Sequence, residues 1–351
     1  MHWSSNSIAR ILTSIGELKK RCSVQCDNLK KDSLNDVPIV TNIEKTQANS
    51  TLAAVDSGFS TKQFLSMDVM LLRSVSTIFA YENGKLTSTD YFPNRVPGIS
   101  IHYGVFSDQS ESTCFKSLTR LNAEMSCAVQ TVNVFKPSMI LIDGSLLPLP
   151  SDKPPENTSL SLLYSETIAL YSNLFKVCAE NNCELVGVCK DSRSQRLCNL
   201  LSENNKVDFP IPNDEFVTDL LLDSFQRTLC FPHSNVNSLD NSGAVADVHW
   251  SKLVNCFYMK AGDSLPFRVE FLLPNTNNEK ENDGKENLEK AASLIASSLA
   301  SFCSPQFGYP SILIEVDMRA SLKPGEISTL FASLEHQANA LILRSNSRPF
   351  R

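Results

Sequence analysis

No Cys-x-x-Cys pair occurs in these 351 residues, although the chain holds eleven cysteines. The nearest groupings, Cys22 to Cys26 and Cys178 to Cys183 to Cys189, lack the spacing of a structural zinc site, and an odd count cannot pair off completely. Most of these thiols lie in apolar stretches, where cysteine behaves as a small hydrophobe, so reduced side chains in a cytoplasmic protein are expected. Long apolar runs are missing as well. No window approaches the ~18 residues that a spanning helix needs, which leaves a membrane role without support. The opening residues MHWSSNSIARILTSIGEL place Ile8, Ile11, Leu12, Ile15 and Leu18 at helical spacing, but they lack the continuous apolar core and small-residue cleavage site of a secretory signal. A basic excess is absent too: the formal charge is −6, the wrong sign for a protein that grips nucleic acid through a general basic surface.

What is present fits a globule. With 42% hydrophobic and 20% charged residues, the chain can bury one large core or two modest ones. We expect an N-terminal helix and linker over 1–50, then one elaborated domain over 51–345. The helix is expected at roughly 7–31, with an apolar face that packs either on its own domain or at a dimer or partner interface. A polar stretch then leads into TLAAVD, a strand expected to end on Asp56 and turn at Ser57-Gly58. Strands at 67–81 and 85–92 follow, joined by Asn83-Gly84, a strong hairpin signal, so the domain should open with three antiparallel strands. Leu118, Leu121, Met125, Ala128, Val129 and Val132 recur at three- and four-residue intervals and mark a helix from about Thr113 to Phe135, before Pro137. Glu124 falls at the edge of that apolar stripe.

The next strand, SMILID (138–143), also ends on an acid, Asp143, followed by Gly144-Ser145. A helix at about 159–181, a strand at 184–189 and a helix beginning near Ser192 continue a βαβα alternation, which predicts an α/β fold with parallel neighbours and helices on the sheet faces. Mobile insertions are expected near 231–250 and 275–287, the latter because NTNNEKENDGKEN has no apolar periodicity. Strands at 252–260 and 266–273, a helix at 288–301, a strand near 312–316 and a helix at 324–342 complete the reading. No internal repeat is evident.

Asp56 and Asp143 after strands, with Glu124 on a helix, supply the hard oxygen ligands that Mg²⁺ or Mn²⁺ prefers. Two such ions about 4 Å apart can activate a water and stabilise a leaving oxygen in phosphodiester cleavage, which requires carboxylates from several elements. Each acid alone has a plainer reading. Aspartate at a strand-to-turn junction commonly just bends the chain, and a helical glutamate is commonly solvated. Their combination makes them interesting, and metal ions with a few local cations can offset an acidic overall charge.

The segments LAAVDSGFS (52–60), Glu124, MILIDGSLL (139–147), LVGVCKDSRS (185–194), FYMK (257–260), RVE (268–270) and GYPSILIEVDMRA (308–320) together, in order and spacing, resemble the NurA nucleases over most of the chain. The resemblance implies an RNase H-like mixed sheet with flanking helices and an N-terminal helical extension. It implies a 5′ to 3′ exonuclease that also cuts single strands, requires Mn²⁺ or Mg²⁺, and works as a homodimer on a HerA-type hexameric ATPase in DNA-end resection and double-strand break repair. Carried over by position, Asp56, Glu124 and Asp143 would be metal ligands, with Tyr258 near the site. Many members have a histidine seven residues after Gly-Tyr-Pro; here that place is Asp317, which can also ligate a hard ion.

Lys190, Arg193 and Arg196 recur every third residue and could present a basic face to DNA phosphates, or could be an ordinary solvated face. Lys260 is a candidate for the scissile or a neighbouring phosphate, as is Arg268; surface ion pairing is the plainer alternative for both. His102, His233, His249 and His336 receive no role. Two rival readings stand beside the nuclease. VDSGFS also resembles the first phosphate turn of actin-like and sugar-kinase ATP-binding proteins, but the second acidic turn, DGSLLPLP, lacks consecutive glycines, and the chain has only twelve glycines. The other is a NurA-like interaction protein that has lost turnover, suggested by Asp317 and the acidic charge.

Overall fold

The helix expected at the start of the chain is α1 (Ser5–Leu29) in the computed structural model. The structure describes residues 5–64, 67–155, 158–190, 194–205, 207–233, 253–272 and 281–338, without the side chains of 5–9, 11, 281–283 and 337–338. The linker behind α1 contains short strands that local sequence pattern does not mark: β1 (Ser33–Leu34) and β2 (Val37–Pro38) form a hairpin through Asn35 and Asp36, both at positive φ, and β3 (Val40–Asn42) comes next. The chain divides into two units, one from Met1–Gln47, Gly187–Asn235 and Lys252–Pro310, the other from Ala48–Val186, Val236–Ser251 and Ser311–Arg351.

The second unit opens with β4 (Thr51–Gln63), β5 (Asp68–Glu82) and β6 (Lys85–Phe92), an antiparallel meander as expected. Asn83 and Gly84 turn the hairpin at φ 51° and 75°, the paired positive values a tight two-residue turn needs. β7 (Ser100–Gly104) also pairs with β5. Next comes α2 (Gln109–Phe135), longer than the apolar period suggested because Asp108 caps it, its carboxylate accepting from the Ser110 and Glu111 amides. β8 (Met139–Asp143) then lies parallel to β4. After α3 (Ser161–Glu180), β9 (Glu184–Cys189) carries the chain out of this unit.

The first unit continues with α4 (Arg196–Asn205), α5 (Asp214–Leu221), β10 (Gln226–Thr228), β11 (Phe231–Pro232), β12 (Val254–Lys260), β13 (Phe267–Leu272) and α6 (Glu281–Phe302). Its sheet runs β3-β10-β12-β13 in antiparallel pairs, β11 also pairing with β12. Cys26 and Leu29 of α1 pack there with Leu197, Val217, Leu221 and Phe231. Further forward on α1, Leu12 and Ile15 are 63% and 52% exposed, so only the end of that helix belongs to this core.

Several expectations need correction. The helix expected near Ser192 starts at Arg196, where the buried Asp214 carboxylate accepts from the Leu197 and Cys198 amides and caps it; Ser192 itself lies outside the described residues. The polar stretch 275–287 is not irregular throughout, since α6 already begins at Glu281; glutamate and lysine are good helix formers, and tertiary packing of Ala292, Ile295, Ala296 and Leu299 supports the helix downstream. Residues 275–280 and most of 231–250 lie outside the described residues. The run at 312–316 is helical, not a strand: α7 (Ser311–Ala320) buries Ile312, Leu313, Val316 and Ala320, a helical spacing that a short apolar run disguises. α8 (Pro324–Ala338) is the last element among the described residues, and the remainder of the helix expected at 324–342 lies outside them.

Leu52, Ala53, Ala54 and Val55 of β4 are fully buried without alternation, and the reason is coverage on both faces. Side chains of one parity meet α2: the Ser74 hydroxyl donates to the Ala123 carbonyl at 3.3 Å, and Ser76 Oγ lies 3.3 Å from Cys127 Sγ. The other parity meets α7 and the residue just beyond its end, Arg73 Nη1 donating to the Ser321 carbonyl at 3.1 Å. Gly58, across from Arg73, belongs to this second face. A Cβ on Gly58 would stand 2.4 Å from the Ala320 carbonyl oxygen. That contact explains why β4 runs straight through Ser57-Gly58 where the sequence suggested a turn: the glycine admits a helix end. Gly58→Ala is therefore expected to destabilise the fold by about 2–3 kcal/mol in urea unfolding, whereas Gly98→Ala, with nothing within 4 Å of the added carbon, should be close to neutral.

Candidate metal-binding carboxylate site

Asp56 sits within β4, one residue past a register in which Val55 lies beside Ile142 of the parallel strand β8. The paired register ends at that step, and Asp56 and Asp143 are the next residue of each strand. Neighbours across parallel strands about 4.8 Å apart point to the same face, so the two carboxylates are forced together by strand pairing. Asp56 shares the parity of Gly58 and thus the α7 face, and Asp317 lies on α7 about one turn before Ala320. Behind Asp143 the backbone turns at Gly144, whose φ of 144° is readily available only to glycine.

Glu124 arrives from α2, on the opposite face, and is buried. Its Oε2 accepts from the Ser57 hydroxyl at 2.8 Å and from Arg120 Nη1 at 2.7 Å. The Ser57 backbone N–H donates to Asp56 Oδ1 at 2.7 Å. Ser57 is thus tied to carboxylates from both sides of its strand. Burial pushes the Asp56 carboxyl up to about 6 against the opposing Ser57 amide, with the charges of Asp143 and Asp317 adding to the rise and Arg120 reducing it. Burial likewise pushes Glu124 up to about 7, opposed first by Arg120, while Asp56 and Asp143 reinforce it. These couplings place Asp56, Glu124, Asp143 and Asp317 in one electrostatic neighbourhood.

All four donors are hard oxygens on different elements, the chemistry that suits Mg²⁺ or Mn²⁺, and the neighbouring acids that add to the burial-driven rise at Asp56 and Glu124 make up a negative charge that a cation would offset. Among the described residues no three His, Cys, Asp or Glu side chains are gathered as a finished cage. Glu124 is engaged by Ser57 and Arg120 instead.

The remaining candidates all lie in the other unit. Tyr258 is 1% exposed; its hydroxyl donates to Asp214 Oδ2 at 3.2 Å, and its ring stacks on Phe231. Lys260 pairs with Asp219 at 2.9 Å, and Arg268 with the fully buried Glu270 at 2.7 Å. His233, given no role from sequence, lies 3.4 Å from Glu270. Arg196 Nε donates to the Pro232 carbonyl at 3.4 Å, Lys190 is exposed above the Tyr309 ring, and Arg193 lies outside the described residues. Sequence reasoning missed Ser57 and Arg120. Arg120 had a signal, since it precedes Glu124 by four residues on one helix.

A strand meander, a helix and a strand parallel to the first, with acids within the first strand, on the helix and at the end of the last, define an RNase H-like α/β fold carrying a carboxylate site. The model of the NurA domain matches residues 50–322, and the chain belongs to the NurA family. Among solved structures, the NurA nuclease from Sulfolobus solfataricus is similar at a TM-score of 0.57 and 17% identity, over 94% of this chain and 98% of that one. A NurA bound to dAMP and manganese is similar at a TM-score of 0.52 and 11% identity, over 99% of each chain. A NurA with manganese matches at a TM-score of 0.55 and 10% identity, over 96% and 98%. No match was found among curated protein sequences. The actin-like phosphate turn finds no support, because residues 56–60 are inside a strand whose backbone pairs with β5.

The raised carboxyls have a consequence for stability. Asp56 and Glu124 hold protons more tightly when folded than at their ordinary values of 3.8 and 4.5, so their contribution is fully present below those values and is lost as pH rises through about 6 and 7. In chelator, Asp56→Asn should therefore melt higher than wild type at about pH 8, with the gap closing by about pH 4. Thermal scans across that range check it, and a pH-independent difference would contradict the assigned burial.

Proposed function

We propose that this chain is a divalent-metal-dependent deoxyribonuclease, a phosphodiester hydrolase acting 5′ to 3′ from DNA ends and also cutting single strands. The observation that carries the reading is the side-by-side placement of Asp56 and Asp143 by parallel strand pairing, with Asp317 and Glu124 in charge contact, on the NurA fold. The NurA solved with dAMP and manganese supports the substrate class and the ion. Asp56, Asp143, Glu124 and Asp317 would hold Mn²⁺ or Mg²⁺, as a two-ion site. Bound there, the ions would supply Lewis-acid polarisation of the phosphodiester and ionisation of a water.

The chain's own groups do the positioning. Strand pairing fixes the separation of Asp56 and Asp143, the Ser57 amide orients the Asp56 carboxylate, and α7 brings Asp317 over the same face. Lys190, Arg193, Arg196 and Arg268 are proposed phosphate contacts, whereas Tyr258 and Lys260 are engaged by Asp214 and Asp219 within the other unit. Of these, Lys190 is exposed to solvent, where a phosphate can reach it.

A setting in DNA-end resection with a HerA-type hexameric ATPase and a homodimeric enzyme completes the proposal, in a cytoplasm that keeps the eleven free thiols reduced. A non-catalytic NurA-like protein is the second reading, favoured by the Glu124–Arg120 pair that occupies a ligand. End-labelled DNA incubated with Mn²⁺ and with chelator separates the two: the enzyme cleaves only with metal. Asp56→Ala and Asp143→Ala should each lose at least about 100-fold in rate with circular dichroism unchanged. Full activity in both variants would end this mechanism.

Truncation of residues 1–18 stops short of the buried Cys22 and Cys26 and removes the exposed Leu12 and Ile15. It is expected to convert a dimer to a monomer and to weaken co-sedimentation with a HerA-type hexamer. Unchanged mass and unchanged co-sedimentation would refute the interface role.

A further inference from the structure

The geometry points to Arg120 as a built-in counter-cation of the carboxylate site, one that competes with a divalent ion for Glu124; this rests on the metal-dependent reading proposed for the same site. Glu124 is 1% exposed, and water cannot solvate it there. A buried carboxylate needs a partner, and breaking such a pair without replacing it is costly. Its Oε2 takes both the Arg120 guanidinium at 2.7 Å and the Ser57 hydroxyl at 2.8 Å. Both bonds fill Oε2 alone, which leaves that oxygen little capacity for an ion, and the guanidinium charge beside it opposes a cation approaching Oε1 as well.

Arg120 also lowers the pKa of Asp56, so its charge reaches the rest of the cluster. Its side chain is 29% exposed, unlike that of Glu124, and can withdraw toward solvent when a doubly charged ion arrives. The exchange is guanidinium for metal at one carboxylate. It explains how a buried acid persists without metal, and it sets the ion's affinity as a competition.

A competing charge and a merely structural residue would shift ion affinity in opposite directions. Losing Arg120 removes a competing positive charge and should tighten ion binding, whereas damage to the fold would weaken it. Mn²⁺ binding to the full chain, read by calorimetry and by the electron paramagnetic resonance signal of free Mn²⁺, should be about ten-fold tighter in Arg120→Gln than in wild type, with Arg120→Lys close to wild type. Metal-free Arg120→Gln should melt lower than wild type but gain more from added Mn²⁺. Equal or weaker Mn²⁺ binding in Arg120→Gln overturns the inference.

If that variant does not fold, wild type still decides. The Arg120 Nε resonance, assigned against Arg120→Lys, should move on Mg²⁺ titration toward that of a solvated guanidinium, and a resonance that stays in place overturns the inference. Absence of any Mn²⁺ binding that Asp56→Asn removes would instead fail the metal-dependent reading itself, and this inference with it.

Discussion

Parallel pairing of β4 with β8 ends one step before Asp56 and Asp143 and so brings these two acids close, and like charges that near repel each other. Much of the site's organisation can be read as a response to that repulsion. Asp317 adds charge from α7 and Glu124 adds more from α2, while a single guanidinium from Arg120 offsets part of it. Such an arrangement stores no advantage for the empty protein, since burial alone already pushes Asp56 and Glu124 toward their neutral forms. Bound cations would make it favourable, which is the link between the local electrostatics and the proposed metal-dependent function.

Two glycines beside the acids serve different ends. Gly144 provides a backbone conformation, its positive φ turning the chain away after Asp143. Gly58 provides space, letting the Ala320 carbonyl come close to β4 and so bringing α7, with Asp317, over the strand. Ser57 between Asp56 and Gly58 joins the two faces, its amide serving one carboxylate and its hydroxyl the other. Three consecutive residues thus couple packing, orientation and charge.

Several cations that looked available in the sequence are engaged in the first unit. Arg268 is paired with buried Glu270 and Lys260 with Asp219; Arg227, not singled out in the sequence, is likewise held by Glu289 at 2.7 Å and donates to the Ser293 hydroxyl. Tyr258 is stacked in a core and hydrogen-bonded to the aspartate that caps α4. Spacing shows that a basic residue exists at a given point on a strand or helix, but the acid that answers it comes from elsewhere in the chain. This is why Arg120, whose partner lies four residues away on the same helix, was the cation most accessible to local reasoning and yet was not singled out.

Local patterns determined much of the architecture. The apolar periodicity of 113–135, the Asn-Gly hairpin and the strand ending on Asp143 need only short-range geometry, and they appear where the sequence placed them. The acids Asp56, Glu124 and Asp143 could also be named from sequence pattern and family resemblance. Tertiary structure alone decided that β4 continues through Ser57-Gly58, that 312–316 is a helix, and that Glu124 faces Arg120 and Ser57. In each case the deciding contact joins residues distant in the chain or balances packing against local propensity: Ala320 against Gly58, the buried side of α7 against the sheet, Ser57 against Glu124. A short apolar run or a Ser-Gly pair is compatible with more than one backbone path, and only the groups that pack against it select between them.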